Sequence, residues 1–122
     1  MPNTSSLASI LEQCCNTYNL DTCLVSAEDG LMIASAGIPF EDTLSVYLPK
    51  WLIHSEKISE QSGLGEMACG FIVPENKSGI IAVQKINQIS QQHYYIAAKM
   101  KRIPPNLIGA LDDIAKQVSQ SL

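Results

Sequence analysis

Two histidines and four cysteines are the residues of this sequence that could carry nucleophilic chemistry. His54 or His93 beside Cys23 or Cys69 would form a thiolate pair, in which an imidazole activates a sulfur nucleophile. The sequence fixes no such pair at a defined spacing, and a solvated or hydrogen-bonded histidine accounts for each more simply. We therefore expect no catalytic thiolate.

The spacing of the cysteines bears on metals and on location. Cys14, Cys15, Cys23 and Cys69 contain no Cys-x-x-Cys pair, and two histidines do not complete a zinc signature. We interpret the four as buried, reduced structural thiols, and expect neither a metal nor a cofactor. The first residues have no basic or apolar region typical of a signal peptide, so we expect a reducing, cytoplasmic location.

Acidic residues occur in pairs, which raises the question of carboxylate catalysis. Each pair is adjacent in sequence, where a turn, a helix start and a solvated helix face account for them: Glu28-Asp29, Glu41-Asp42 and Asp112-Asp113. The sequence also has no phosphate-binding Gly-x-x-x-x-Gly-Lys-Ser/Thr loop and no Gly-x-Gly-x-x-Gly motif. We conclude that the chain is not an enzyme and does not itself hydrolyse nucleotides.

Basic residues cluster at one place, Lys99, Lys101 and Arg102. Arg102 is the sole arginine, so an arginine finger would have to be this residue. We favour a contact with phosphate or with an acidic partner surface, and take these three as candidate partner-binding residues. The net charge of -4 argues against nucleic acid as the partner. Residues 1–76 hold ten acids and two bases, and residues 77–122 hold six bases and two acids, a split that can steer a charged partner or cancel in space.

Length and composition predict one globular domain over residues 1–122. The chain is 46% hydrophobic but only 16% charged, against about 25% in ordinary soluble domains. No window approaches the roughly 20 apolar residues of a membrane span, so we expect no membrane partner. The shortage of charge indicates that part of the surface is covered by another chain.

Hydrophobic periodicity predicts the order α-β-β-α-β-β-β-α. A helix covers 7–18, a hairpin joins strands 22–26 and 31–36 through Asp29-Gly30, and a second helix covers 41–61, kinked or restarted at Pro49. Strands follow at 67–73, 79–86 and 94–100. Pro104 and Pro105 then open a final helix, whose apolar stripe comprises Leu107, Ile108, Leu111, Ile114, Ala115, Val118 and Leu122.

The strands are apolar without clean alternation around 80–83 and 94–98, which is typical of strands covered on both faces. We therefore predict an α/β/α sandwich of the α+β type, a single sheet built from hairpins with helices on both sides.

The stretch 24–37, Leu-Val-Ser-Ala-Glu-Asp-Gly-Leu-Met-Ile-Ala-Ser-Ala-Gly, resembles the Roadblock family of dynein-light-chain-like domains, as does Gly63-Leu64-Gly65-Glu66. The resemblance covers about residues 5–121 and implies a five-stranded antiparallel sheet in the order 2-1-5-4-3. It places helix 2 on one face and helices 1 and 3 on the other. It also implies dimers through helix 2 and strand 3, and a role as a regulator of small Ras-like GTPases or as a scaffold subunit, without catalytic residues.

The residues themselves also favour a dimer. On a helical wheel the apolar residues of helix 2 form one face of Leu44, Tyr47, Leu48, Trp51, Leu52 and Ile58, while Val46 and Ile53 lie opposite. Strand 67–73 carries no charge, so at the edge of the sheet it would present unpaired backbone groups and apolar side chains that a second copy can cover. The predicted dimer interface comprises Val46, Ile53, Met67, Cys69, Phe71 and Val73.

The sequence therefore leads to a non-enzymatic homodimeric adapter or regulator that binds another protein, most plausibly a small GTPase. An alternative from another class is a small-molecule sensor with an apolar pocket between the sheet and helix 2, near Trp51 and Tyr47.

Overall fold

A computed structural model describes residues 4–38, 44–89 and 92–122 of the chain. Within these residues the predicted order of elements is confirmed. The helices are α1 (Thr4–Tyr18), α2 (Leu44–Gln61) and α3 (Leu107–Ser119). The strands are β1 (Thr22–Ala27), β2 (Met32–Gly37), β3 (Cys69–Ile72), β4 (Ile80–Ile89) and β5 (Gln92–Met100).

The five strands form one antiparallel sheet in the order β2-β1-β5-β4-β3. Helices cover both of its faces, so the α/β/α sandwich and the strand order are as expected. Side chains of α1 and α3, including Leu11 and Ile114, pack with Ile96 of β5 in one core cluster. Leu48 and Leu52 of α2 pack in a second cluster on the opposite face.

The hairpin between β1 and β2 forms at the predicted Asp-Gly turn. Gly30 has a φ of 90°, a left-handed conformation that costs glycine little. The Ala27 amide donates to the Leu31 carbonyl at 2.9 Å, and the Leu31 amide donates to Asp29 Oδ1 at 2.9 Å. The turn thus satisfies its own backbone groups and sets the pairing of β1 with β2.

Helix α2 runs through Pro49 without interruption, so of the two predicted alternatives, a kink or a restart, the restart is wrong. Proline removes one backbone donor, the one that would have bonded to the Ser45 carbonyl. The neighbouring Leu48 and Leu52 are buried against the sheet and hold the helix in place despite that loss. Residues 41–43, predicted to belong to this helix, lie outside the described residues.

Other boundaries also differ from the predictions. Strand β3 is shorter than the predicted 67–73, whereas β4 and β5 extend toward each other and pair again at Ile89 and Gln92. Helix α3 starts at Leu107 because the Asn106 side chain accepts a hydrogen bond from the Gly109 amide and caps it. Pro104 and Pro105 thus precede the cap.

The predicted stripe of α3 is correct at most of its positions. Leu107, Leu111, Ile114 and Val118 are buried. Ile108 was assigned to this stripe but is exposed, because it lies one residue off the row that faces the sheet. Leu122 lies beyond the end of the helix.

Candidate interaction surface

Strand β3 forms one edge of the sheet and presents apolar side chains to solvent. It pairs with β4 on one side, from Cys69 opposite Gln84 to Ile72 opposite Ile81. On its other side no described strand pairs with it. Phe71 is 43% exposed, Val73 is 53% exposed, and Ile72 is also exposed. An uncharged edge of this kind offers free backbone donors and acceptors together with apolar side chains.

The side chains of β3 alternate between the two faces of the sheet. Cys69 packs with the core cluster of α1 and α3, and Phe71, two residues on, belongs to the same face. Gly70 lies opposite Val83, which packs on the α2 side, so Gly70 and Ile72 belong to the α2 face.

Trp51 connects α2 to this edge. Its indole ring lies over Gly70, so close that a Cβ added to the glycine would be 2.7 Å from Cη2 of the ring. No side chain other than hydrogen fits there without a shift of the ring. The glycine therefore lets Trp51 of α2 pack directly on β3.

Helix α2 presents more apolar area to solvent than the helical wheel predicted. Ile53 is 50% exposed, as expected for a residue on the outer side. Tyr47 and Ile58 were assigned to the side that faces the sheet, and both are exposed. The reason is that only a narrow stripe around Leu48 and Leu52 contacts the sheet, while the wheel treated a wider arc as buried.

An ion pair links the outer part of α2 to β4. Lys85 Nζ donates to Glu56 Oε1 at 2.6 Å, and both side chains are about one-third exposed. This hydrogen bond to the Glu56 carboxylate raises the pKa of Lys85. The pair joins a residue of the acidic part of the sequence to one of the basic part, so the charge split is partly cancelled in space.

The six predicted interface residues occupy different environments. Ile53, Phe71 and Val73 are exposed, whereas Met67 and Cys69 are partly buried. Met67 packs against the cluster under α2, and Cys69 packs against the cluster under α1 and α3. The side chain of Val46 lies outside the described part of the chain.

Sequence reasoning missed other exposed apolar residues on this surface, namely Tyr47, Ile58, Leu64 and Ile72. For Ile72 a signal existed, since it belongs to the uncharged segment 67–73. Leu64 lies between Gly63 and Gly65, both with positive φ, in the link that leaves α2. We use the name α2–β3 surface for the exposed apolar residues of α2, of β3 and of the position directly after β3: Tyr47, Ile53, Ile58, Phe71, Ile72 and Val73.

The three predicted partner-binding residues are exposed but are divided between two clefts. Lys99 and Lys101 line a cleft of about 480 Å³ beside Ile72 and Ile81. Arg102 lines another, of about 560 Å³, between the end of α1 and the start of α3. Lys101 and Arg102 therefore line different clefts although they are adjacent in the chain.

The sensor hypothesis required a pocket near Trp51 and Tyr47. A groove of about 640 Å³ lies elsewhere, between α3 and residues 66–68, and is lined by Gln84 and Asp112 among others. Neither Trp51 nor Tyr47 lines this groove or the two clefts described above. The Trp51 ring packs on Gly70.

The thiols are poor nucleophiles in this structure. Burial raises the pKa of Cys14 to about 11 and also raises the pKa of Cys15, Cys23 and Cys69. Because the thiolate is the reactive form, these shifts oppose activation of a cysteine. The shift of Cys69 has a second cause in the carboxylate of Asp112.

The described residues hold neither a candidate metal centre nor a membrane-spanning helix. In residues 4–38, 44–89 and 92–122, no group of three or more histidine, cysteine or acidic side chains could hold a metal ion. Across those same ranges, no helix is both long and apolar enough to cross a bilayer.

Comparison with known proteins by sequence and by structure gives contrasting results. No protein-family profile matches the chain. No curated protein matches it in sequence either. Solved structures do match. MglB of Myxococcus xanthus superposes with a TM-score of 0.79 at 9% identity, covering 97% of this chain and 88% of that one.

Two further structures show the same likeness. A structure titled as MglB with a tetrameric arrangement has a TM-score of 0.78 at 13% identity, over 96% of this chain and 88% of the other. A Roadblock/LC7 domain from Streptomyces avermitilis has a TM-score of 0.71 at 11% identity, over 93% and 94% of the two chains. The chain therefore has a Roadblock-like fold, as the resemblance in sequence predicted.

Proposed function

We propose that the chain is a non-enzymatic homodimeric adapter that regulates a small Ras-like GTPase. The observation that carries the dimer is the α2–β3 surface, on which Ile53 and Phe71 are each about half exposed although the chain has few charges. Apolar side chains exposed on an edge strand and on the helix beside it are typical of protein interfaces.

The dimer explains the features of the edge strand. Pairing of β3 with its own copy across a two-fold axis would satisfy the outward N–H and C=O groups of the strand. The same association would cover the outer face of α2, because Trp51 holds this helix against Gly70 of the strand. Glu66 and Pro74 flank the uncharged segment and would limit the pairing to it.

The Roadblock-like fold supports the regulatory role that we propose. The resemblance to Roadblock domains implies a GTPase regulator or scaffold, and the likeness to MglB structures supports the same proposal. The chain has a single arginine, Arg102, which is exposed beyond the end of β5. We propose that Arg102 contacts phosphate or an acidic surface of the partner rather than acting as an arginine finger.

The partner is best tested with purified proteins. The small Ras-like GTPases of the source organism would be screened against the dimer in both nucleotide states, and we expect one of them to bind at a ratio of 2:1 or 2:2. Because charge steers the encounter, the association rate should fall with added salt.

Charge-reversal variants test the role of the basic residues. Lys101→Glu with Arg102→Glu should slow association more than it speeds dissociation and leave the dimer intact. Lys77→Glu with Lys116→Glu, an equal charge change at other exposed positions, is the matched control. If no GTPase binds while a small metabolite binds tightly, the regulator hypothesis is wrong and the sensor replaces it.

A further inference from the structure

We propose that the groove between α3 and residues 66–68 binds a small zwitterion of the amino-acid class. The ammonium group of the ligand would donate to Gln84 Oε1 and to the Asp112 carboxylate, and its carboxylate would contact Lys116. All three side chains line this groove, whose volume is about 640 Å³. The inference goes beyond the proposed function and is independent of the homodimer, because one chain supplies every residue that it uses.

Gln84 is a buried polar residue whose amide is only half satisfied. It lies on β4 opposite Cys69, so its side chain belongs to the face of the sheet that α1 and α3 cover. It is 6% exposed. Its Nε2 donates to Asp112 Oδ1 at 2.8 Å, but its buried Oε1 accepts no hydrogen bond within residues 4–38, 44–89 and 92–122. Buried acceptors in folded proteins almost always have a donor, so this oxygen indicates a donor from outside the chain.

The Asp112 carboxylate determines which end of the amide lacks a partner. Exchange of the amide oxygen and nitrogen of Gln84 would place two acceptors against each other, with no proton between them. The nitrogen therefore belongs at Asp112, and the oxygen needs a separate donor. The last side-chain torsion of glutamine is broad, so the amide can turn Oε1 toward the groove that Gln84 lines at a small cost in energy.

The carboxylate beside Gln84 favours an ammonium group as this donor. An ammonium group has three N–H bonds, which are enough for Gln84 Oε1 and for the exposed Asp112 carboxylate together. Hydrogen bonds between two charged groups are stronger than those between neutral groups, so a cation gains more here than a neutral donor does.

Lys116 provides a contact for the other end of the ligand. It lies four residues after Asp112 on α3, so the two side chains are neighbours on one face of the helix. The acid on the strand side of the groove, Glu66, has a cation nearby in Lys85. The pKa of Lys85 is raised by its hydrogen bond to Glu56 and further by the charge of Glu66. The helix side thus offers one anion and one cation, which a zwitterion complements.

The groove also has an apolar part. Ile86 and Ala115 line it and belong to the core cluster of α1 and α3. Binding sites for small molecules combine such apolar walls with a few placed polar groups. We therefore expect an amino acid with an apolar side chain, and L-valine is a suitable probe.

NMR titration of the isotope-labelled full chain with L-valine tests the site. We expect the side-chain amide signals of Gln84 to shift, with a Kd in the millimolar range. N-acetyl-L-valine lacks the ammonium group and should bind at least about tenfold more weakly. Isobutylamine lacks the carboxylate and should bind up to about fivefold more weakly, because Lys116 is exposed.

Substitutions identify the contacts. Gln84→Met removes the amide and keeps a side chain of similar length. Since Oε1 is unsatisfied, this variant should fold, and it should bind L-valine at least about tenfold more weakly. Lys116→Met should remove the difference between L-valine and isobutylamine. Gln117→Met is the matched control and should bind normally, because Gln117 also donates to an aspartate of α3, Asp113, at 2.9 Å but does not line the groove.

Asp112→Asn covers the case in which Gln84→Met does not fold. It keeps an acceptor for the Gln84 amide, removes the charge at an exposed position, and should also weaken the binding of L-valine. The dipeptide L-valyl-L-valine distinguishes two sources of the zwitterion, and both of its results support the site. Tighter binding than that of L-valine would assign the groove to short peptides, and weaker binding would assign it to free amino acids.

Three results would overturn the inference. The first is that L-valine does not shift the Gln84 amide signals, which would leave water as the donor to Oε1. The second is an equal affinity for L-valine and N-acetyl-L-valine. The third is an unchanged affinity for L-valine in Gln84→Met.

Discussion

Replacement of Ile53 by glutamate should convert the dimer to a monomer, and the structure gives the size of the effect. Ile53 is 50% exposed in the single chain. Burying a whole isoleucine stabilises by roughly 1.5–3 kcal/mol, so covering its exposed half contributes about 1 kcal/mol in each subunit and about 2 kcal/mol in the dimer. A carboxylate at the same place adds a desolvation cost of several kcal/mol.

The two contributions together exceed about 4 kcal/mol, which corresponds to a roughly thousandfold weaker association. Sedimentation equilibrium between about 1 and 100 μM would measure it. The wild type should show twice the mass of 13.3 kDa, and Ile53→Glu the mass of one chain.

Ile108→Glu is the matched control for this experiment. Ile108 is 56% exposed, a fraction similar to the 50% of Ile53, but it lies on α3, on the opposite face of the sheet. The same substitution there should leave the dimer unchanged. If Ile53→Glu remains dimeric at low micromolar concentration, α2 is not in the interface. If both variants dissociate, the loss is not specific to α2. Either result refutes the reasoning from the exposed residues of this helix.

Three further predictions concern the stability and reactivity of the fold. Gly70→Ala should lower the free energy of unfolding in urea by about 1–3 kcal/mol, because the added methyl group would clash with Trp51. Trp51→Leu should reduce this loss in the double variant, and additive losses would contradict a direct clash. At neutral pH a maleimide should label Cys69 before the buried thiols and more slowly as the dimer forms; labelling that is independent of protein concentration would place this residue outside the interface. The Tyr18 hydroxyl donates to the Asp113 carboxylate, and this hydrogen bond raises the pKa of Tyr18 to about 12. The free energy of unfolding lost in Tyr18→Phe should therefore be constant from neutral pH to about pH 10 and vanish toward pH 12. A loss that does not change between pH 10 and pH 12 would show that the hydrogen bond is not its cause.

The parts of the fold that were predictable are those fixed by local chemistry. The hairpin turn needed a residue with positive φ, and Gly30 supplied it at the expected place. The periodicity of the apolar residues did not predict the order of the strands in the sheet. It came from the resemblance of residues 24–37 to a known family, and the sheet has that order.

The parts that were missed depend on contacts between distant residues. A helical wheel orders the residues of α2 by angle, but it does not give the width of the stripe that the sheet covers, so Tyr47 and Ile58 were placed on the wrong side. The contact between Trp51 and Gly70 joins residues that are far apart in sequence. Composition does not show that the ring of Trp51 packs against this glycine.

The two edges of the sheet differ in a way that determines how far assembly can proceed. Joining two copies through β3 removes that edge from solvent and leaves a ten-stranded sheet with a β2 strand at each end. The pairing of β1 with β2 is irregular, with a register shift between Val25 and Ser26, and such irregularity discourages further strands from adding. In the proposed dimer both β3 edges are paired with each other. The β2 edges that remain at the two ends do not favour addition of a third copy, so we expect the assembly to stop at the dimer.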